Sequence, residues 1–352
     1  MNYSFTVTLQ KWYINHKRPL PWRDTSNPYL IWLSEIILQQ TRVSQGLPYY
    51  ERFVMHFPTI TDLANASEDE ILRLWQGLGY YSRGRNMLKC AKLVVSNYNG
   101  AFPTEIKEVK KLPGIGDYTA SAILSFAFNQ VHPVLDGNVY RVLSRYYGID
   151  TPINTPLAFK TFKRIAGDII DVKNPAQHNQ AIMEFGALQC TPKNPDCMSC
   201  VFNETCVAAR EDKVQYLPVK LKARAKRNRH FNYIVFLSNN QTLIKKRMAK
   251  DIWQGLFEFP LVETTQPLES EQLTKTVESV YGLALSEVQK VDSIKHLLTH
   301  QTIYADFWLV TSPHFDFNRN SDTFEVDLQA LGTDYAIPVL ISKFLESPLM
   351  KV

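Results

Sequence analysis

Up to about residue 225 the apolar positions recur at helical spacing, and beyond about 230 they gather into short runs that suit strands. Asn27-Pro28 pairs an N-cap with a first-turn proline and predicts a helix through Ile31, Trp32, Ile36, Ile37 and Leu38. Residues 69–75 predict another, ending near Gly77 and Gly79, and 85–98 a third, closed by Asn99-Gly100. A short amphipathic helix over 105–112 leads through Leu112-Pro113-Gly114-Ile115-Gly116 into a helix that includes 119–124. Asp136 precedes Val139, Val142, Leu143 and Tyr146, Thr155-Pro156 opens a further helix, and 179–188 leads into a cysteine-rich loop. In the second half, 231–237, 242–244 and 303–310 read as strands, with Asn239-Asn240 as a turn, while 273–281 and 338–345 read as helices. The expectation is a multidomain chain: an all-α domain over 1–212, a basic linker over 213–229 and an α+β domain over 230–352.

A length of 352 residues gives each domain room for its own core. Hydrophobic content of 45% with 21% charged residues is ordinary for globular protein. No apolar run approaches the roughly 18 residues needed to span a membrane, and Met1-Asn2-Tyr3-Ser4-Phe5 does not begin an export signal. These features lead us to expect a cytoplasmic protein without a membrane partner. Net charge is only +5, but Lys220, Lys222, Arg224, Lys226, Arg227 and Arg229 form a basic run free of acids, suited to a linker that grazes a polyanion.

Candidate chemistry lies at three places. Gly114 and Gly116 can take backbone angles closed to other residues. The helix after them would offer free N–H groups and its dipole to an anion, with Lys110 and Lys111 adding charge. The segment is either a phosphate clamp or an ordinary turn between packed helices. Asp136 is either a plain N-cap or a catalytic carboxylate. Glu35, on a helix otherwise rich in apolar residues, stands at an exposed edge or in a pocket. A pocket would raise its pKa and let it donate a proton near neutrality. An acid and an ion-stabilising carboxylate together are the equipment for breaking glycosidic bonds. Cys190, Cys197, Cys200 and Cys206 are spaced C-x6-C-x2-C-x5-C and point to a metal site, with iron–sulfur ahead of zinc because all four crowd one loop. Cys90 reads as a buried small hydrophobe.

These segments together resemble the MutY-type adenine DNA glycosylases of the helix-hairpin-helix base-excision superfamily. The likeness rests on Pro21-Trp22-Arg23, Trp32-Leu33-Ser34-Glu35, Leu38-Gln39-Gln40-Thr41, Gly77-Leu78-Gly79-Tyr80-Tyr81-Ser82-Arg83, residues 112–118, Asp136-Gly137-Asn138 and the cysteine loop. It implies that Glu35 protonates adenine at N7 and that Asp136, supported by Asn138, stabilises the sugar cation or its adduct. Trp22, Arg23, Leu38 and Gln180 would wall the pocket for a flipped adenine. Gln40, Thr41 and Tyr80 would face the opposite strand. The implied substrate is double-stranded DNA with adenine opposite 8-oxoguanine or guanine. The implied cofactors are one [4Fe-4S] cluster and a monovalent cation at the hairpin, with no nucleotide cofactor. The protein would act as a monomer, in the nucleoid if bacterial.

Two departures within the superfamily sharpen the expectation. Relatives resembling endonuclease III carry a lysine shortly after the hairpin glycines, which attacks the sugar and cuts the strand through a Schiff base. Tyr118 stands there instead, and its phenol cannot form one, so a monofunctional glycosylase is expected. The region around Lys246-Arg247 and 253–260 resembles the family's Nudix-like lesion-recognition domain, yet 273–280 lacks the glutamate-rich R-E-x-x-E-E helix of Nudix hydrolases. Leu298-Thr299-His300 occupies the place of a Phe-Ser-His loop that contacts 8-oxoguanine, so Thr299 and His300 are candidate lesion readers. The alternatives are a bifunctional glycosylase/lyase, a non-catalytic iron–sulfur DNA-binding protein and a nucleotide hydrolase.

Overall fold

A computed structural model describes residues 2–222, 225–281, 288–311 and 322–347; Arg224 of the basic run lies outside them. The helices of the first half are α1 (Asn2–His16), α2 (Pro28–Ile37), α3 (Val43–His56), α4 (Ile60–Asn65), α5 (Glu68–Trp75) and α6 (Ser82–Tyr98). They continue with α7 (Ile106–Val109), α8 (Asp117–Phe128), α9 (Gly137–Tyr147), α10 (Pro156–Ile169), α11 (Pro175–Leu188) and α12 (Val207–Arg210). The second half contains β1 (Arg227–Leu237), β2 (Gln241–Lys246), β3 (Phe257–Glu258), β4 (Leu261–Thr264), α13 (Ser270–Tyr281), β5 (Gln289–Leu297), β6 (Gln301–Thr311), β7 (Thr323–Asp327) and α14 (Val339–Leu345).

Local chemistry accounts for the helix ends. Asn27 Oδ1 accepts the Tyr29 N–H at 2.9 Å and Pro28 fills the first turn of α2. Thr155 caps α10 in the same way, accepting from Ala158 N at 3.2 Å. The expected helix over 105–112 is shorter because its end tightens: Lys111 N bonds to Glu108 O and Leu112 N to Val109 O, three residues back. In the other direction, α8 starts at Asp117 and α11 at Pro175, each ahead of the expected position.

The chain divides into two compact units, Met1–Ala64 with Lys89–Lys222, and Asn65–Leu88 with Ala223–Val352. In the first, Phe5, Leu9 and Trp12 of α1 join Val139 and Val142 of α9, Phe162 of α10 and Phe185 of α11 in one apolar core. The second gathers the sheets together with 65–88, a stretch the sequence pattern assigned to the helical half. The reason is visible in its contacts. Asp69 pairs with Lys246, Arg85 donates to the Gln254 carbonyl, and Gln76 Oε1 accepts from Ile337 N at 3.2 Å.

The second unit holds a four-stranded sheet, β4-β1-β6-β5, and a three-stranded sheet, β3-β2-β7. β1 and β6 run parallel, pairing Tyr233 with Phe307 and Val235 with Leu309, while β4 and β5 flank them antiparallel. Asn239 and Asn240 turn β1 into β2 with φ of 48° and 64°, the left-handed pair a tight hairpin requires. β5 gave no strand signal because it alternates weakly and most of its residues are exposed or half-buried.

Candidate active site

Three sides of α2 pack inward: Ile31, Trp32, Leu33, Ile36 and Ile37 are all buried. Glu35, among them, is 7% exposed, so it stands in a pocket and not at the helix edge. Burial pushes its carboxyl up to about 7; a hydrogen bond from the Tyr118 hydroxyl works against the rise, and the nearby Asp136 carboxylate adds to it. Tyr118, in the first turn of α8, is itself held far above the usual phenol range by burial beside Glu35 and Asp136, and so remains an O–H donor.

Asp136 is the N-cap of α9, and the same side chain also lines the cavity that holds Glu35. Its Oδ1 caps α9 by accepting from Val139 N at 2.7 Å, and its Oδ2 accepts from Asn138 Nδ2 at 2.7 Å. Burial raises its pKa, opposed by those hydrogen bonds and the Arg141 charge. Asn179, 1% exposed, fixes the approach to Asp136 by accepting from Val134 N and donating to His132 O and Ser125 Oγ. Arg141 Nη2 donates to Asn138 Oδ1 at 2.8 Å and to Gly186 O at 2.5 Å, while its Nε donates to Cys190 O at 2.7 Å. At Gly186 only glycine fits, since a Cβ would lie 2.6 Å from that of Asn138.

Two cavities meet at Glu35. One, of about 290 Å³, is lined by Glu35, Leu38, Gln39, Gln40, Tyr118 and Asp136. The other is narrow, about 40 Å³, and has Trp22, Arg23, Phe126, Gln180, Met183 and Glu35 on its wall. Gln40 takes φ 57° just past α2, and the Thr41 hydroxyl donates to Gln39 O at 3.3 Å. Behind the narrow cavity, Glu184 (1% exposed) binds Arg23 and Arg18 with both oxygens, the shortest contacts being 2.6 Å. Burial works to raise the Glu184 pKa, but the two guanidinium groups outweigh it and hold the carboxylate at about 2.

At the hairpin, Gly114 has φ 79°, but Gly116 has φ −94° and extended ψ, so only the first glycine is needed for its backbone angles. Gly116 caps α8 without a side-chain hydrogen bond, leaving the helix start to other acceptors. Both candidate phosphate lysines are engaged at the surface: Lys110 with Asp117 at 2.5 Å and Lys111 with Glu108 at 2.7 Å.

Cys190, Cys197, Cys200 and Cys206 line a single cavity with Arg145 and Phe202. Among the described residues, no group of three or more His, Cys, Asp or Glu gathers closely enough for a single metal ion. Four thiols walling one cavity are a donor set that either a metal ion or an iron–sulfur group could use. Burial pushes the Cys200 thiol up to about 11 and raises those of Cys197 and Cys206. Arg145 donates to Thr191 O and Pro192 O, 2.7 and 3.2 Å away, and comes within 3.5 Å of Cys190 Sγ. Cys90 is buried and apart from this loop.

In the second unit, Tyr80 (φ 48°) and the β5–β6 turn meet. The Tyr80 hydroxyl hydrogen-bonds Thr299 Oγ1, and Tyr80, Trp253, Leu298, Thr299 and His300 line a cavity of about 450 Å³. The sequence thus supplied every side chain on the cavity walls near Glu35 that carries a charge, but not the groups behind them. Tyr13, Arg141, Arg145 and Glu184 went unnoticed. The available signal was four polar side chains on helix faces that otherwise bury apolar residues.

A model for HhH-GPD superfamily base excision DNA repair proteins matches residues 33–166, and one for NUDIX domains matches 232–347. Fold and site together therefore define a base-excision glycosylase carrying a Nudix-like domain. A thermostable thymine-DNA glycosylase of known structure is similar at a TM-score of 0.56, with 26% identity over 60% of this chain and 97% of its own. Endonuclease III, solved in a non-covalent complex with DNA, aligns at a TM-score of 0.52 and 20% identity over 60% of this chain and 98% of its own, a likeness of fold. The adenine DNA glycosylase of Buchnera aphidicola subsp. Schizaphis graminum is 35% identical over 349 residues, covering 98% of both chains. The chain belongs to the adenine DNA glycosylase family, enzymes that hydrolyse N-glycosyl bonds in DNA repair. No described helix is long and apolar enough to cross a membrane.

Proposed function

We propose that the protein removes adenine mispaired with 8-oxoguanine or guanine and leaves the strand uncut. The observation that carries this reading is the Glu35 carboxyl, buried, raised to about 7 and hydrogen-bonded by Tyr118, on one cavity with Asp136. A carboxyl titrating near neutrality is half protonated there and suits a general acid. Glu35 donates its proton to adenine N7, which makes the base a neutral leaving group. Asp136, supplied with hydrogen bonds from Val139 N and Asn138, is the better anion of the two and stabilises the positive sugar. Tyr118 supplies a hydroxyl where a lyase needs an amine, so no Schiff base forms and the sugar–phosphate chain stays whole.

The adenine leaves the duplex to reach these groups, at a stacking cost of a few kcal/mol that is least at a mismatch. Trp22, Arg23, Gln180 and Leu38 receive it. The narrow cavity and the larger one share Glu35, so a base at their junction lies against both sets of walls. The hairpin at Gly114 and Gly116, with Lys110 and Lys111, holds backbone phosphate. Gln40 and Thr41 face the opposite strand, and residues 230–352 supply a lesion-recognition domain whose Thr299 and His300, together with Tyr80 beside them, meet the 8-oxoguanine. Cys190, Cys197, Cys200 and Cys206 would hold one [4Fe-4S] cluster, whose chemistry when bound is to cross-link the loop.

The test is single-turnover cleavage of duplexes carrying adenine opposite 8-oxoguanine, adenine opposite guanine, or thymine glycol. We expect free adenine from the first two and strand breaks only after alkali. Glu35→Gln should bind the same duplexes but cleave slower by on the order of 10²–10⁴-fold. Strand breaks without alkali, in yield equal to the adenine released, would overturn the monofunctional reading; intact protein that releases no adenine would overturn the substrate.

A further inference from the structure

Arg229 ends the basic run of the linker, but its guanidinium is turned inward and the residue is 6% exposed. Nε donates to Glu263 Oε1 at 2.7 Å and Nη2 to Glu263 Oε2 at 2.6 Å. Nη1 and Nη2 donate to the two Asp251 oxygens at 3.0 and 2.7 Å, and Nη1 also donates to Gln301 Oε1 at 3.3 Å. A guanidinium carries donors and no acceptor, so the direction of every one of these bonds is fixed. Asp251 and Gln301 line the cavity of about 450 Å³ from different segments. Asp251 belongs to the β2–β3 connection, which also brings Trp253, and Gln301 follows Leu298-Thr299-His300 in the β5–β6 turn. The guanidinium lies 4.8 Å from the centre of the Phe231 ring, which in turn meets Trp253 edge-on at 6.1 Å. Two further bonds tie the turn to the start of β1, from Lys226 Nζ to Leu298 O at 2.7 Å and from Arg227 N to His300 O at 3.2 Å. Neither reaches the β2–β3 connection; Arg229 joins the two.

We propose that Arg229 is a positioning residue for lesion recognition: it fixes the β5–β6 turn against the β2–β3 connection, and that spacing separates 8-oxoguanine from guanine in the cavity. This rests on the lesion reading proposed for Thr299, His300 and Tyr80. The two bases differ at C8 and N7. 8-Oxoguanine has a carbonyl oxygen and an N–H there, where guanine has a C–H and a bare acceptor. Telling them apart by hydrogen bonding needs partners held at bonding length and angle. What rejects the wrong base is a polar group left unpaired against it. A turn that drifts adapts to either base and loses that rejection. Bonds from a charged donor are the stronger kind, and Arg229 stands buried behind the wall, so it holds the turn without meeting the base.

The experiment measures equilibrium affinity on a Glu35→Gln background, so that no base is released, for duplexes with adenine opposite 8-oxoguanine or opposite guanine. The readout is the ratio of the two affinities. Gln301→Met removes the acceptor, keeps the length and leaves Arg229 paired with both carboxylates. It should lower the ratio about tenfold, the scale of one hydrogen bond, with guanine affinity held within about twofold. Gln301→Glu keeps an acceptor for Arg229 and should retain the ratio. Arg229→Lys keeps the charge but lacks the fork that reaches both segments, and should lower the ratio as far as Gln301→Met does. Combining those two changes should lower it no further, because both break one link. A merely structural role would weaken both duplexes alike and leave the ratio alone. Thermal unfolding checks each variant; should Arg229→Lys not fold, the two Gln301 variants decide, since they leave its ion pairs whole. A ratio unmoved by Gln301→Met, one lost equally in Gln301→Glu, or losses that add in the double variant would overturn the proposal. Protein altered only at Glu35 that binds both duplexes equally sinks the lesion reading beneath it; a ratio that is present but ignores Arg229 and Gln301 sinks only this one.

Discussion

Glu35 and Glu184 share a side chain, lie on helices of one unit and are both buried, at 7% and 1% exposure. Burial alone would push both carboxyls upward. Glu35 has a tyrosine hydroxyl and a second carboxylate for neighbours and titrates near 7; Glu184 has two arginines and is held at about 2. The partners, and not the depth, decide which glutamate can carry a proton near neutrality and which is a permanent anion. The same contrast separates their jobs. A group poised at neutrality can exchange a proton with a base, whereas a fixed anion can only hold Arg23 in place on the pocket wall.

The largest effect should follow from breaking the permanent anion. Glu184→Gln keeps the shape but leaves Arg18 and Arg23 without their counter-charge, and removing one partner of a buried ion pair costs about 3–5 kcal/mol. Arg18 is 35% exposed and can reach water, so the low end of that range is expected. Urea unfolding at pH 7 reads the loss, and adenine release should slow as Arg23 loses its anchor. A variant as stable as the wild type would mean that the arginines do not control Glu184.

Removing the carboxyl that titrates near neutrality should act in the opposite direction on stability. The folded-state pKa of Glu35, about 7, lies above the ordinary 4.5, so the folded protein binds that proton more tightly than the unfolded chain. The stability this contributes is complete below about pH 4.5 and is lost as pH rises to about 7, a swing of roughly 3 kcal/mol. Glu184 runs the other way: its contribution is present above about 4.5 and lost as pH falls towards 2. Glu35→Gln, which cannot ionise, should therefore gain on the wild type between pH 4 and pH 8 by up to about 3 kcal/mol while losing turnover. Equal pH dependence in the two proteins would show that Glu35 is not strained by ionisation.

How far the sequence discloses this contrast depends on the distance between partners. Glu35 is conspicuous because its apolar neighbours on α2 are three and four positions away, and Asp136 because a cap is read from the residues that follow it. Glu184 carries no such mark: Arg18 and Arg23 are more than 160 positions distant, and only the packing of α11 brings them together. Burial is likewise a tertiary property, which is why the sequence left Glu35 with two placements and Asp136 with two roles. That a helical half precedes a strand-bearing one was legible from the change in apolar spacing. That 65–88 packs with the second unit was not, because its helix, caps and glycines look like those of the first.

The smallest effect concerns a third glutamate and marks where the comparison stops. Glu108 also has a cationic partner, Lys111 at 2.7 Å, and its pKa is lowered first by that hydrogen bond, but both groups lie in water at the surface. Solvent already screens the charges, so the pair adds little to folding whatever its geometry. Lys111→Ala should leave the unfolding midpoint where it is. If the hairpin meets DNA phosphate, the lysine is worth more to binding than to stability, and the slope of log affinity against log salt should fall by about 0.9 for one lost contact. An unchanged slope would assign Lys111 to Glu108 alone and leave the start of α8 and Lys110 to hold the backbone.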